Sequence, residues 1–350
     1  MRIVVVGATG NAGTSLIELL RKDPDIASIV GLARRIPATK LEKVQWVRAD
    51  ITTDDLQPVF EGADGIVHLA WAIQPSRNLD QVERINVDGS RRVFEAAARA
   101  GVGKLVYASS VGAYSTSDKD ERRDESWPTG GVQTSFYSRH KAAVEDILDG
   151  FEARHPQIAV VRVRPALIFK QEAASEIRRL FFGPFVPSWA FNRKWLPLIP
   201  FHHELRTQVV HSADVAEAYR LSLLGDARGA FNLAAEPPVT ANLLKETFDA
   251  RVLKVSPGLL RRLAELTWRL RMQPTPPGWL EMGTSAPLMD TSRARSVLGW
   301  QPRHDAAETL LELIEGLQRK SGADTPTMAS RAGGFLRNRE IRKGMGGSNP

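Results

Sequence analysis

The sequence predicts an α/β fold, a doubly wound parallel sheet followed by a smaller, mostly helical part. Three observations lead there. An apolar, β-branched run at Ile3–Val6 ends in a glycine turn (Gly7, Gly10, Gly13) and passes into an amphipathic stretch, Asn11–Leu20. Apolar runs of strand length then alternate with helix-like stretches as far as Pro165, the order a parallel sheet requires. At 350 residues and 43% apolar, the chain can bury a core of that size.

Taken in order, Ile3 to Val6 has the continuous apolarity of a strand covered on both faces. Leu16, Ile17, Leu19 and Leu20 give the first helix its inward side. Ser28 to Leu32, Val44 to Val47, Gly65 to Leu69, Lys104 to Ala108 and Ile158 to Val163 read as the second to sixth strands, with helices near 78–100 and 134–153 between them. After Pro165 the alternation breaks, and 176–205 is dense in Phe, Trp and Pro. A short strand at Thr207 to Val210 and a helix at Ser212 to Leu224, N-capped by Ser212, return to the sheet. Residues 240–285 add helices, including a Leu-rich one after Pro257. This divides the chain into a sheet-forming domain at 1–165, with a return at 206–234, and a second part at 166–205 and 235–318.

Two constellations carry chemistry. Strand, glycine turn and helix together make a phosphate-binding loop: glycines let the backbone approach a pyrophosphate, and the helix N-terminus supplies N–H groups and positive potential. Gly7, Thr9, Gly10, Asn11, Ala12 and Gly13 form it, spaced Gly-x-x-Gly-x-x-Gly. Farther on, Tyr137 and Lys141 stand four apart on one face of a helix, with Ser110 upstream in Tyr-Ala-Ser-Ser-Val. A cation beside a phenol favours the phenolate, and a serine can hold the oxygen of the same carbonyl or alcohol. Ser109 competes with Ser110 for that place.

With these motifs the chain resembles an extended short-chain dehydrogenase/reductase, of the group called NAD-dependent epimerase/dehydratases, from Arg2 to about Gln318. Further markers stand in the family's order: Asp50-Ile51, His68-Leu69-Ala70, Asn86-Val87-Asp88-Gly89, Ser110 with Tyr114, Arg164-Pro165, His211 to Ala216, and a closing motif from Asp290 through Trp300-Gln301-Pro302. The resemblance implies a Rossmann-type domain in which Asp50, Ile51, Leu69 and Ala70 border the cofactor. It assigns Tyr137 the hydroxyl proton, has Lys141 lower the tyrosine's pKa and hold the nicotinamide ribose, lets Ser110 orient the reacting oxygen, and makes Asn86 a support of the active site.

The second strand ends Ala33-Arg34-Arg35, without the acidic residue that accepts hydrogen bonds from an adenosine ribose. Guanidinium groups bind phosphate as bidentate donors, so this end suits NADP over NAD. Dehydratases of the family carry Thr-Asp-Glu where this chain has Ser110-Val111-Gly112, which argues against dehydration. Many sugar-nucleotide epimerases carry Arg-x-Phe-Asn where this chain reads Arg164-Pro165-Ala166-Leu167. The expected activity is therefore hydride transfer at a secondary alcohol or carbonyl, with the aromatic stretch around 181–195 pointing to an apolar small-molecule substrate. A 4-epimerase retaining NAD and a non-catalytic NAD(P)-binding regulator are the alternatives.

Composition narrows the rest. The absence of cysteine excludes disulfides, thiolate nucleophiles and Fe–S clusters, and fits a reducing cytoplasm. The first strand begins at residue 2, and no apolar run is long enough for a membrane span, so a soluble cytoplasmic protein without stable membrane insertion is expected. Of the net charge of +7, residues 319–350 hold +5, from seven Lys/Arg against two acidic residues; this reads as a disordered basic tail rather than a nucleic-acid surface. His202, His203 and Glu204 read as a polar loop, so no metal is expected. The Leu-rich helix after Pro257 is expected to cover the substrate pocket, and pairing of two copies through the long helices is left open.

Overall fold

The computed structural model describes all residues except 75, 183–190, 192–197, 202–204, 250, 271–275 and 331–350. Seven strands form one parallel sheet: β1 (Arg2–Val6), β2 (Ser28–Ala33), β3 (Val44–Arg48), β4 (Gly65–His68), β5 (Lys104–Ala108), β6 (Ala159–Pro165) and β7 (Gly229–Leu233). Their order is β7-β6-β5-β4-β1-β2-β3, reversing direction of growth at β1. In register, Val6 lies between Leu32 of β2 and His68 of β4.

The continuous apolarity of β1 is explained by what covers it. Ile3 and Val5 face a core shared with α1 (Asn11–Leu20). Val4 and Val6 face the opposite core, with α2 (Gly89–Arg99) and α3 (Phe136–Arg154). Alternate residues of a strand point to opposite faces, so a strand between two helical layers must be apolar throughout. α4 (Ser212–Leu224) packs beside α1, placing Val215 and Tyr219 in the first core. The loops that follow β1, β2, β4 and β5 all open at one edge of the sheet, where the strand order reverses and ligands of such folds bind.

Several local readings are corrected. The helix near 78–100 is interrupted by a π-helical turn at Arg84–Asp88. The strand after residue 206 is Val209–His211, and it pairs with Leu167–Phe169 outside the main sheet. The N-cap of α4 is His211, whose Nδ1 accepts from the Ala213 amide at 3.2 Å; Ser212 is fully buried and turns its hydroxyl to Ser15 at 2.9 Å. On the Leu-rich helix Pro257–Arg269, Leu259, Leu263 and Leu266 are about half exposed, so this face does not close a pocket.

The basic tail also begins later than composition implies. After α5 (Ala306–Arg319), residues 321–330 turn back onto the body, and Met328 is fully buried against Phe169, Ala173 and Leu317. An unbranched thioether filling a core supplies apolar burial that the polar sequence around it conceals. Residues 331–350, and His202, His203 and Glu204, lie outside the described residues.

Candidate active site

One elongated cavity runs from the glycine loop, past the end of β2, to Tyr137. Gly7 has φ +89°, and a Cβ there would stand 2.5 Å from the Ala70 amide nitrogen, so the turn and the β4 loop touch through backbone alone. Gly10 is the N-cap of α1, which has no side-chain cap. A Cβ at Gly10 would meet only the Gly7 carbonyl, at 3.7 Å. Backbone N–H groups at this helix end therefore face open cavity, the condition a pyrophosphate needs.

Thr9, Asn11, Ala12 and Gly13 line the same stretch. Arg34, Arg35, Asp50 and Ile51 form the far wall, and both arginines are solvent-exposed. The Asp50 carboxylate accepts from the Thr52 amide at 2.9 Å and hydroxyl at 2.7 Å, so it shapes its own turn as well as the wall. Leu69 and Ala70 border the midpoint. Glycines, open N–H groups and a basic adenosine end together fit a dinucleotide.

At the other end, α3 presents Tyr137 and Lys141 one turn apart, its N-terminus capped by Ser135. The Ser110 hydroxyl lies beside the Tyr137 phenol and accepts from the Gly112 amide at 3.0 Å. Ser109, the competing serine, donates instead to the buried Glu145 carboxylate. Both serines line the cavity, and their bonds separate them: Ser109 is tied to Glu145, whereas Ser110 lies against the phenol.

Burial pushes the Tyr137 phenol up to about 12, opposed by the Ser110 hydrogen bond. Burial likewise holds Lys141 well below the ordinary lysine range, with Glu145 opposing. The expected partnership between the two is not made in this structure. Lys141 Nζ donates to the Ala108 carbonyl at 2.6 Å and sits 3.5 Å from the centre of the Trp71 ring, but 6.0 Å from that of Tyr137. Its nearest partners are thus a β5 carbonyl and an indole face.

Asn86, expected to support the active site, does not itself line the cavity. It is fully buried outside the cavity wall; its Oδ1 accepts from the Ala72 amide at 2.7 Å and its Nδ2 donates to the Ala72 carbonyl at 3.1 Å. It clamps the loop that carries Trp71. His68 is buried in the sheet, paired with Ser90 Oγ at 2.9 Å, and burial pushes it down to about 3, so it stays neutral.

Beneath the site, the carboxylate of Glu145 is enclosed by Arg162 at 3.0 Å and Arg164 at 2.9 Å, and Arg164 reaches the Tyr114 hydroxyl, also at 3.0 Å. Burial would raise Glu145, but its bonds to Arg164, Ser109 and Arg162 outweigh that and lower it. The motif after residue 210 is a second hub: Asp214 accepts from the His304 amide, its backbone carbonyl holds Trp300 Nε1 at 2.7 Å, and His211 stacks on His304. It ties the closing motif to α4.

Sequence reading missed much of the wall around Tyr137. Trp279 lies 4.8 Å from the Tyr137 ring between centroids and Phe181 packs edge-on to Trp279 at 5.5 Å. Gly112 permits this closeness, since a Cβ there would be 2.8 Å from Tyr137 Cε1 and 3.0 Å from Met282 Sδ. Glu176 lines the wall beside Gln74; burial raises its carboxyl, against the pull of Arg179 and of a hydrogen bond with Gln74. Nothing in the sequence separates Glu176 from Glu172, which is exposed.

A parallel sheet with its glycine loop at the reversal point, and a Ser-Tyr-Lys set in the same crevice, defines a nucleotide-binding enzyme fold of the extended short-chain dehydrogenase/reductase type. The sequence model of the NAD dependent epimerase/dehydratase family matches residues 3–234, and the chain belongs to that family. An uncharacterized protein of Mycobacterium tuberculosis is 27% identical over 334 residues, covering 94% of this chain and 31% of that protein. The chain thus spans about a third of the length of that curated relative. A decarboxylating sterol-4-alpha-carboxylate 3-dehydrogenase of Candida albicans is 32% identical over 182 residues, 48% of this chain and 50% of the relative. Among solved structures, MoeE5 in complex with UDP-glucuronic acid and NAD superposes with a TM-score of 0.68 at 23% identity, over 91% of this chain and 99% of that one. That likeness confirms the fold. No helix among the described residues is long and apolar enough to cross a membrane.

Proposed function

We propose that the chain is an NADP-preferring oxidoreductase acting on a secondary alcohol or carbonyl of a largely apolar compound. The observation that carries this reading is the pairing of Ser110 and Tyr137 on the wall of the same cavity as the glycine loop. When bound, the nicotinamide supplies or accepts the hydride. Tyr137 gives its phenolic proton to the carbonyl oxygen in reduction, or takes the hydroxyl proton in oxidation, and Ser110 holds that oxygen in line. Lys141 is one turn away on α3, able to leave Ala108 for a ribose hydroxyl. A phenol raised to about 12 is protonated at neutral pH, the form that donates in reduction.

The substrate end supports an apolar ligand. Trp71, Phe181, Trp279 and Met282 face Tyr137's side of the cavity, and the polar groups added there include Gln74 and Glu176. Pockets of this kind orient hydrophobic ligands through a few polar contacts. Glu176 would accept a hydrogen bond from a substrate hydroxyl or amine.

The second reading, a nucleotide-sugar 4-epimerase with retained NAD, draws on MoeE5 and its bound UDP-sugar. Against it, the cationic side chains on the wall among the described residues are Arg34, Arg35 and Lys141, all on the cofactor side. Arg164 is engaged with Glu145, and Arg206 with Asp120 at 2.8 Å. Among the described residues, a diphosphate would lack its usual basic partners on that side. A regulator without turnover has no use for Ser110, Tyr137 and Lys141 together.

The test is mass spectrometry of the nucleotide released on denaturing freshly purified protein, followed by a screen of apolar ketones with NADPH. Turnover of a ketone with an exchanging NADP pool is the expected result. Stoichiometric NAD that never exchanges would replace this reading with the epimerase.

A further inference from the structure

The segment beyond α5 does more than fill a core. Thr325 Oγ1 donates to the Thr9 carbonyl at 2.9 Å, and Thr327 Oγ1 lies 3.1 Å from Thr9 Oγ1, where Thr327 forms part of the cavity wall beside Gly10 and Asn11. This position is held from several sides. The Thr327 carbonyl accepts from Arg179, the Met328 carbonyl accepts from Ser175 Oγ at 2.8 Å, and Asp324 accepts from Thr39 Oγ1 at 2.6 Å. Met328 anchors the turn in the core. The segment lies outside the span matched by the family model, 3–234.

We propose that residues 321–330 are a built part of the nucleotide site, in which the Thr327 hydroxyl is an additional ligand for the phosphates of the dinucleotide. The chemistry follows from proton counting. The two hydroxyls of Thr9 and Thr327 share one hydrogen bond, and with Thr9 as its donor the Thr327 proton is left for a ligand in the cavity. Next to it the uncapped start of α1 offers backbone N–H groups, so the added donor extends an anion-binding surface already present. A donor held by a strap from a distant part of the chain also slows release, since the phosphates can leave only by breaking that bond.

This inference rests on the dinucleotide-binding reading, and the experiment separates the two. Full-length wild type, Thr327→Val and Thr327→Ser are titrated with NADPH and with NADH by quenching of tryptophan fluorescence, with stopped-flow displacement to give the release rate. Circular dichroism melts verify that the variants fold. T327V, nearly isosteric, is expected to raise Kd for both dinucleotides roughly tenfold, the effect of one hydrogen bond to a charged group, mostly through faster release. T327S, which restores the hydroxyl, is expected to bind within about twofold of wild type. Unchanged affinity in T327V would overturn the inference alone, and tighter binding would overturn it by showing that the strap competes with the cofactor. If wild type bound neither dinucleotide, the proposed function would fall together with this inference.

Discussion

At the glycine-loop end, the cavity wall is made largely of sequence neighbours: Gly7 to Gly13, then Arg34 with Arg35, then Asp50 with Ile51. Around Tyr137, the wall draws Trp71, Glu176, Phe181, Trp279 and Met282 from separate segments of the chain. The first end is held by backbone: a positive φ at Gly7, a helix terminus, strand ends in register. The second is held by side chains leaning on one another, with Tyr137 between Trp71 and Trp279. Backbone geometry tolerates surface drift but not a new Cβ; side-chain walls can be retuned one residue at a time. Cofactor choice and substrate choice thus rest on different physical supports.

Variants can break this contrast, and the largest effect is expected where the two ends meet. Tyr137→Phe should lower kcat about 10²- to 10⁴-fold while leaving dinucleotide affinity near wild type, read by steady-state kinetics and titration. Retention of most activity would remove the phenol from the proton path. Glu145→Gln should cost about 3–5 kcal/mol in urea unfolding, because Arg164 would keep a buried charge without its counter-ion, while Arg162 retains Asp149 and Glu152. Glu145 is lowered in the folded state, so its contribution is present above the ordinary carboxylate range and is lost as pH falls below it. The acid limb of wild-type stability should flatten in the variant.

A smaller, sharper effect separates the cofactor end. Arg34→Ala with Arg35→Ala should weaken NADP by about 10- to 100-fold and leave NAD within a few-fold, the scale of charge-assisted bonds to one phosphate. Equal losses would turn both arginines into a basic surface turn. At the other end, Glu176→Gln should change KM for amine- or hydroxyl-bearing substrates several-fold with kcat nearly constant, as removal of a ground-state contact does. Last, the rate of alcohol oxidation should climb continuously through the alkaline range, because the phenol raised to about 12 must lose its proton to act as base. An oxidation rate flat from neutral pH upward would contradict the burial of Tyr137.

The same contrast explains what was legible in the sequence. The order of strands, the glycine turn and the Tyr137–Lys141 pair depend on local spacing, and spacing is visible in a string of residues. The direction of Lys141 toward Ala108 and Trp71 depends on β5 and the β4 loop, which meet α3 only in the fold. The engagement of the Ser109 hydroxyl depends on Glu145, thirty-six residues away. Asn86 was legible as a feature but not as a clamp on Ala72. Thr327 stands in a polar run that composition assigns to a tail; its place is set by Met328, one apolar residue whose burial no periodicity announces.

Gly112 has a consequence for how this chain could change its trade. An acidic side chain at that position, as in the dehydratase pattern, would begin with a carbon 2.8 Å from the Tyr137 ring. The step toward elimination chemistry would therefore push the phenol off its station before any new proton donor could act.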